Sequence, residues 1–469
     1  MKIEIKNLGA VKEGQVKIKP LTVFIGPNNS GKTWTAYGVS SIFGPIALGH
    51  YSKYFLEESF EKKYPEIENL ISNFFNKGNA NLNIVHFFEQ NFSFYFNDLA
   101  KLSPKWMNKF LGTENVSFEN LSISICKEPC PEDSIKRLLK LSFNSELSPD
   151  KEEEPIVKVN KNEQDPLIYF YLSEKRKTEL PEKILINSIL EIIFHYVHRA
   201  LYYNVRYLPA ERTGFISLLA SEILGEKQKK DLVLEENTGE KIDLLMPVPI
   251  IKMINNLKII QQPSKYNFVL KRRSNNKKLK KFQDLATLFE TSILDGALEY
   301  EGNHLNKGIS NLCYRYHQNK DVPLELQVAS STVKDLVPLS VYLKCLLHEN
   351  ELLVIDEPEM NLHPENQAKF MEFLVMLVNS GVSVMLTTHS PYMTNHLENL
   401  IKAYSSKQSD LENLFYLKRR EAFISKENVS VYYFGNGGIK NILEENGNID
   451  LGSFSDVGEG ISEIFYDIE

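Results

Sequence analysis

The chain has 469 residues, 42% hydrophobic and 25% charged, with a formal net charge of −7. This length supports more than one domain and a sizeable core. The acidic balance excludes a generically basic nucleic-acid coat, and no apolar run of about eighteen residues reads as a membrane span, so the expectation is a cytoplasmic protein without membrane contact.

The opening Met1-Lys2-Ile3-Glu4-Ile5 alternates as a strand does. Leu21-Thr22-Val23-Phe24-Ile25 is a continuous apolar run that reads as a buried strand. The octapeptide Gly26-Pro27-Asn28-Asn29-Ser30-Gly31-Lys32-Thr33 follows it and fits G-x-x-x-x-G-K-[ST]. A segment able to form a helix, Trp34 to Phe43, comes next. Strand, glycine loop and helix in this order form a phosphate cradle. Gly26 and Gly31 permit tight turns. The backbone N–H groups of Asn28, Asn29 and Ser30 and the helix start face phosphate. Lys32 reaches the β/γ-phosphates and Thr33 supplies a hydroxyl to Mg²⁺. The expected cofactors are therefore ATP and Mg²⁺.

The region from His50 to Ala200 lacks sustained heptads, and its cluster Phe87, Phe88, Phe92, Phe94, Tyr95 and Phe96 argues for a packed lobe rather than a coiled-coil arm. The acidic run Asp150 to Pro155 reads as a loop. Ile184 to Leu201 reads as an apolar helix, with His195 and His198 as core or interface residues rather than metal ligands. The turn Tyr207-Leu208-Pro209-Ala210-Glu211-Arg212-Thr213-Gly214 follows a short strand, Asn204 to Leu208. Two readings stay open for it: Glu211 beside Mg²⁺ with Arg212 as an inter-lobe contact, or a helix start with a surface salt bridge. The run Lys271 to Lys281 is strongly basic. It is a nucleic-acid patch in one reading, and a solvated, mobile hairpin or a contact for an acidic partner in the other. Cys126, Cys130, Cys313 and Cys345 are the four cysteines; Cys126 and Cys130 lack a second metal-binding pair, so free thiols are expected.

Thr291 to Val328 reads as strands leading to Ala329-Ser330-Ser331-Thr332-Val333-Lys334-Asp335-Leu336. Ser330 and Ser331 can cap a helix, and the same helix start can bind a phosphate. Leu352 to Ile355 is an apolar strand ending in Asp356 and Glu357. The carboxyl end of such a strand faces the ligand crevice of an α/β sheet. Asp356 is then placed to hold Mg²⁺, and Glu357 to orient or deprotonate the attacking water. Pro364 to Val378 has helical spacing, and Val382 to Thr388 is another buried strand, ending at His389. This crossover puts His389 near Glu357, where it can contact a γ-phosphate. Val429 to Phe434 reads as a strand, and Gly435-Asn436-Gly437-Gly438 as a turn.

A P-loop, a long gap, Ile355-Asp356-Glu357-Pro358-Glu359 with Leu362-His363-Pro364, and then Thr388-His389-Ser390 resembles the heads of ABC-type ATPases of the RecF, SMC and OLD class. The resemblance covers both ends of the chain and not the middle. It implies an α/β fold: an ABC-type P-loop ATPase head with a mixed sheet, plus an inserted, mostly helical lobe. The implied division is 1–49, 201–225 and 282–469 for the head, 50–200 for the inserted lobe and 226–281 for a smaller insertion. It also implies a homodimer or higher homo-oligomer, in which Ser330 and Ser331 of one head meet the nucleotide of the other. The usual Leu-Ser-Gly-Gly-Gln signature is absent; the serine-rich segment resembles the variant in OLD-like and stand-alone defence ATPases. The residues after Ser390 are too few for the Toprim nuclease domain of OLD proteins. The chain thus looks most like the AriA-type ATPases of PARIS anti-phage systems. That resemblance implies a phage-encoded trigger and a separate effector protein, a nuclease. The alternative is a RecF-like DNA-repair ATPase acting on duplex DNA. An ABC transporter subunit is disfavoured by the large insertion and the missing signature.

Overall fold

The computed structural model describes residues 1–55, 64–148, 154–173, 179–220, 246–261, 263–300, 312–450 and 452. Most of the acidic run 150–155, and the first part of the smaller insertion, lie outside these residues. The described strands are β1 (Lys2–Leu8), β2 (Val11–Lys17), β3 (Leu21–Ile25), β4 (Asn79–Asn83), β5 (Ser122–Ile125), β6 (Phe143–Leu147), β7 (Val157–Lys161), β8 (Leu167–Leu172), β9 (Val205–Leu208), β10 (Gly296–Tyr300), β11 (Leu312–Tyr316), β12 (Asn319–Glu325), β13 (Leu352–Asp356), β14 (Ser383–Thr388), β15 (Val429–Gly435) and β16 (Gly438–Asn441). The chain folds into two compact units. One comprises Met1–Glu4, Gly38–Met107 and Glu119–Asn204; the other comprises Ile5–Tyr37, Asn108–Phe118 and Val205–Glu469.

In the larger unit the sheet runs in the order β1-β2-β16-β15-β3-β14-β13-β9. β3 and β13 are buried at every position. Their sequences, apolar apart from Thr22 and the terminal Asp356, reflect a parallel sheet covered on both faces. β15, β3, β14, β13 and β9 are mutually parallel, and β15 turns back through an antiparallel hairpin into β16, so the sheet is mixed. The register decides the site. Asp356 pairs with Thr387, and Thr388 pairs with Ile25. The strand ends before the P-loop, after Asp356 and before His389 therefore emerge at one edge. The helix Pro364–Asn379 crosses between β13 and β14 and buries Phe370, Phe373, Leu374 and Leu377. β10, β11 and β12 form a separate antiparallel sheet before the serine-rich segment.

The basic run lies where the helices Pro263–Ser274 and Lys277–Ser292 meet. Two of its residues are structural: Arg273 donates to the carbonyls of Cys345 and Leu347, and Lys281 to the carbonyl of Ser380 and the Glu349 carboxylate. Lys271, Arg272, Lys277, Lys278 and Lys280 are exposed.

The smaller unit combines helices with the antiparallel sheet β4-β8-β7-β6. Phe87, Phe88, Phe92, Tyr95 and Phe96 are buried, whereas Phe94 is 39% exposed. Tyr95 stacks on Phe194 at 5.1 Å. Phe194 belongs to the helix Glu182–Leu201, which has the length and mean hydropathy (1.3) of a membrane span, with half of the apolar window buried. His198 on this helix accepts from the Tyr95 hydroxyl at Nδ1 (2.7 Å) and donates from Nε2 to the Ile42 carbonyl (3.3 Å). Burial holds it down at a pKa of about 4. No cluster of metal-ligating side chains occurs among the described residues, and all four cysteines are free thiols.

Candidate active site

The P-loop turn uses backbone conformations that its residue types allow. Gly26 has φ 142°, Asn29 59° and Gly31 95°. Asn tolerates the left-handed region and Gly is unrestricted there. Lys32 and Thr33 open the helix Lys32–Ser41. The Lys32 ammonium donates to the carbonyls of Gly26 (3.1 Å) and Pro27 (2.8 Å), so it closes over the loop. Burial lowers its pKa, opposed by Glu357, Asp356 and Glu359.

Two hydroxyls meet on one oxygen of Asp356. The Thr33 Oγ1 donates to Oδ1 at 2.8 Å, and Thr387 Oγ1 donates to the same atom. Asp356 is buried, which pushes its carboxyl up to about 6. Glu357 sits one residue on, at φ 46°. A non-glycine residue adopts this region rarely, at a cost of roughly 1–3 kcal/mol, and only where its surroundings hold it. Here the hold is visible. The Glu357 N–H is within reach of the Thr387 carbonyl (3.1 Å) and hydroxyl (3.2 Å), and its carbonyl accepts from Arg212 (3.0 Å). The consequence is that the Glu357 carboxylate lies 3.5 Å from His389 Nε2, with both side chains about one-third exposed. Contact with His389 keeps the Glu357 carboxyl below its ordinary range. The backbone N–H of His389 is held in turn by the Glu359 carboxylate.

Arg212 is buried, contrary to the surface salt bridge that one sequence reading allows, and none of its partners below lies in the smaller unit. It donates to the carbonyls of Pro209, Asp356, Glu357 and Asp335 and faces the Asp335 carboxylate at 3.8 Å. Asp335 lies in the helix Ser331–Val341, whose N-cap is Ser330: its hydroxyl accepts from the N–H of Val333 at 3.3 Å. Ser330 and Ser331 are exposed. Among the described residues no hydrogen bond joins either serine to residues 26–33 of the same chain.

The structure thus joins Thr33, Asp356, Glu357 and His389 at one sheet edge. Thr387, Arg212, Asp335 and Glu359 complete the arrangement, and the sequence reading assigned them no such contacts. Thr387 is foreshadowed by the register of two adjacent parallel strands; Asp335 and Arg212 carry no local signal, because their pairing spans distant segments.

These residues fit a magnesium nucleotide. Ser30 Oγ is buried in the loop without a hydrogen-bond partner, as a hydroxyl aimed at a phosphate oxygen would be. The residues that would hold phosphate are 26–33, and Thr33 and Asp356 would hold Mg²⁺. Glu357 and His389 lie beside them, where a water can be oriented and a proton taken.

The family model described as AAA ATPase domain matches residues 1–394. The chain belongs to this family. Membership of the AAA ATPase domain family implies ATP as the nucleotide and Mg²⁺ as its usual companion ion. It is 25% identical over 231 residues to the uncharacterized protein MJ1542 of Methanocaldococcus jannaschii, which covers 47% of this chain and 28% of that protein. It is 33% identical over 92 residues to the uncharacterized ABC transporter ATP-binding protein YhaQ of Bacillus subtilis, covering 19% of this chain and 30% of that protein. The chain thus spans less than a third of the length of either relative. Among solved structures it is similar to an SMC head bound to the C-terminal winged-helix domain of ScpA, with 11% identity, a TM-score of 0.37 and coverage of 94% of this chain and 96% of that one. The SMC head domain from Thermotoga maritima matches with 11% identity, a TM-score of 0.31 and coverage of 94% and 97%.

Proposed function

We propose that this protein hydrolyses MgATP between two copies of itself, and that it serves as the sensor and scaffold of an anti-phage defence system. In this reading it restrains a separate effector, a nuclease, until a phage-encoded trigger arrives. The observation that carries hydrolysis is Glu357, in its left-handed backbone conformation next to Asp356 and 3.5 Å from His389. Asp356 and Thr33 hold Mg²⁺, Lys32 neutralises phosphate charge, and Glu357 takes the proton of the attacking water. Ser330 and Ser331 of the second copy bind the γ-phosphate. The exposed serines at a helix start support this assignment. The lobe at 50–200 contacts the partner or trigger. The regulatory role follows the resemblance of the serine-rich segment and the Pro-Ala-Glu-Arg turn to stand-alone defence ATPases. Expression with the neighbouring gene and a trigger becomes toxic, whereas the protein alone is harmless. Cleavage of DNA or RNA by the purified chain alone would overturn the division of labour.

A second reading, a RecF-like ATPase acting on duplex DNA, draws on the exposed Lys271, Arg272, Lys277, Lys278 and Lys280 at the helix junction. Stimulation of ATP hydrolysis by duplex DNA, lost at high salt and on charge reversal of these residues, decides for it.

A further inference from the structure

Arg212 carries more of the site's geometry than any single contact suggests. Its Nη1 donates to the carbonyls of Asp356 (2.8 Å) and Pro209 (3.1 Å), and its Nη2 to that of Glu357 (3.0 Å). Its Nε donates to the Asp335 carbonyl at 3.2 Å. The guanidinium fork thereby grips two successive peptides of the segment that ends in Glu357, in a way a lysine cannot reproduce. The other end of the grip is the serine-rich helix. Asp335 Oδ2 accepts from the Asn361 side-chain amide at 2.6 Å, and the Asn361 carbonyl accepts from the Thr332 hydroxyl at 2.6 Å. Asn361 is itself left-handed, at φ 57°. A closed circuit results. From the cap at Ser330 it passes along the helix to Asp335, through Arg212 to the Asp356–Glu357 peptides, along the chain to Asn361, and back to Thr332. The start of the helix cannot shift or rotate without moving either Asn361 or the Glu357 peptide. Glu357 occupies a backbone conformation that persists only while its surroundings impose it, so it is the part of the circuit that a small displacement resets.

We infer that Arg212 is a positioning residue which, with Asp335 and Asn361, makes the engagement of the serine-rich helix and the placement of Glu357 a single switch. The inference rests on the reading of Ser330 and Ser331 as a phosphate contact for a second copy. A head whose serines hold its partner's nucleotide then has its own Glu357 set for hydrolysis; a head whose serines are unengaged does not. The two composite sites of a dimer become coupled, and the coupling is reciprocal for binding.

The test uses the full-length protein, the double substitution Thr332→Val with Asn361→Ala, and Arg212→Lys. The probes are ATP and a non-hydrolysable ATP analogue. In the wild type, analogue binding slows amide hydrogen exchange in 330–336 and 357–362 together, and the hydrolysis rate rises cooperatively with ATP. In the double variant the Arg212–Asp335 arm remains, so analogue affinity stays within about twofold, the single-turnover rate falls on the order of tenfold, and joint protection and cooperativity both weaken. Arg212→Lys does the same with a larger fall in rate. If the buried Arg212→Lys fails to fold, the double variant, at partly exposed positions, decides alone. Wild-type rate, cooperativity and joint protection in the double variant would overturn the switch. So would protection of only one of the two segments in the wild type. A wild type that binds the analogue without hydrolysing ATP defeats the proposed function only, since the exchange measurement still reports the coupling. If the analogue does not bind, faster exchange of both segments in the nucleotide-free double variant sustains the circuit, and unchanged exchange ends it.

Discussion

Replacing Gly26 with alanine tests how closely the P-loop packs against β15. Gly26 has φ 142°, and an added Cβ would sit 2.3 Å from the carbonyl oxygen of Phe434 on β15. That is about 1 Å inside ordinary contact, and the obstacle is backbone. It cannot yield cheaply, because β15 is in register with β3 through Tyr432–Phe24 and Tyr433–Ile25. Backbone strain contributes roughly 1–3 kcal/mol, and overpacking roughly another 1–3. We expect Gly26→Ala to cost about 2–6 kcal/mol, which at roughly 2.1 cal/mol/K of unfolding entropy per residue lowers the melting temperature of the larger unit by about 3–9 °C. Urea unfolding followed by the fluorescence of Trp34, on the adjoining helix, measures it. Gly214→Ala is the control: nothing lies within 4 Å of its added Cβ, and it occupies the helix Arg212–Ala220, so a gain of about 0.5–1 kcal/mol is expected. Wild-type stability together with wild-type ATP binding in Gly26→Ala would refute the reasoning.

Lys32→Ala should abolish ATP binding in equilibrium titration, because the β/γ-phosphate charge loses its partner. Glu357→Gln should bind ATP normally and slow single-turnover hydrolysis by roughly 10²–10⁴-fold, since an amide takes no proton; an unchanged rate removes Glu357 as the base. Bulky replacements of Ser330 and Ser331 should block hydrolysis; mixing that variant with Lys32→Ala rebuilds one composite site on a head whose own serines are unengaged, so a non-hydrolysable ATP analogue should again join the two heads in size-exclusion chromatography while hydrolysis stays well below the wild-type rate, and the lack of any analogue-dependent mixed dimer would place nucleotide within a single head. His198 gives a pH signature. Its folded pKa of about 4 lies below the ordinary value of 6.5, so the unfolded chain binds the extra proton first as pH falls. The stability it contributes is complete above pH 6.5, declines between 6.5 and 4, and has lost about 3 kcal/mol by the lower end. Denaturant midpoints across that window, compared with those of His198→Gln, measure the difference; equal slopes would refute it.

Sequence alone determined what is local. The P-loop, the apolar strands ending at Ile25, Asp356 and Thr388, and the crossover helix that begins at Pro364 are each written in contiguous residues, since phosphate cradles and buried parallel strands constrain composition over a few positions. The nearness of His389 to Glu357 was also legible, because a strand–helix–strand unit returns its second strand beside the first. The readings at Arg212 and in the basic run stayed open for the opposite reason. Whether Arg212 meets solvent or the Asp356–Glu357 peptides depends on β9 pairing with β13, a contact between segments far apart in the chain. Whether Arg273 and Lys281 are surface charges or anchors depends on the carbonyls of Cys345, Leu347 and Ser380 reaching them. Glu357's left-handed backbone is likewise a property of the hydrogen bonds that enclose it, donated by its N–H to Thr387 and by Arg212 to its carbonyl. Chain-local chemistry names the groups that can act on a nucleotide; only the tertiary register brings the distant donors that fix where those groups point.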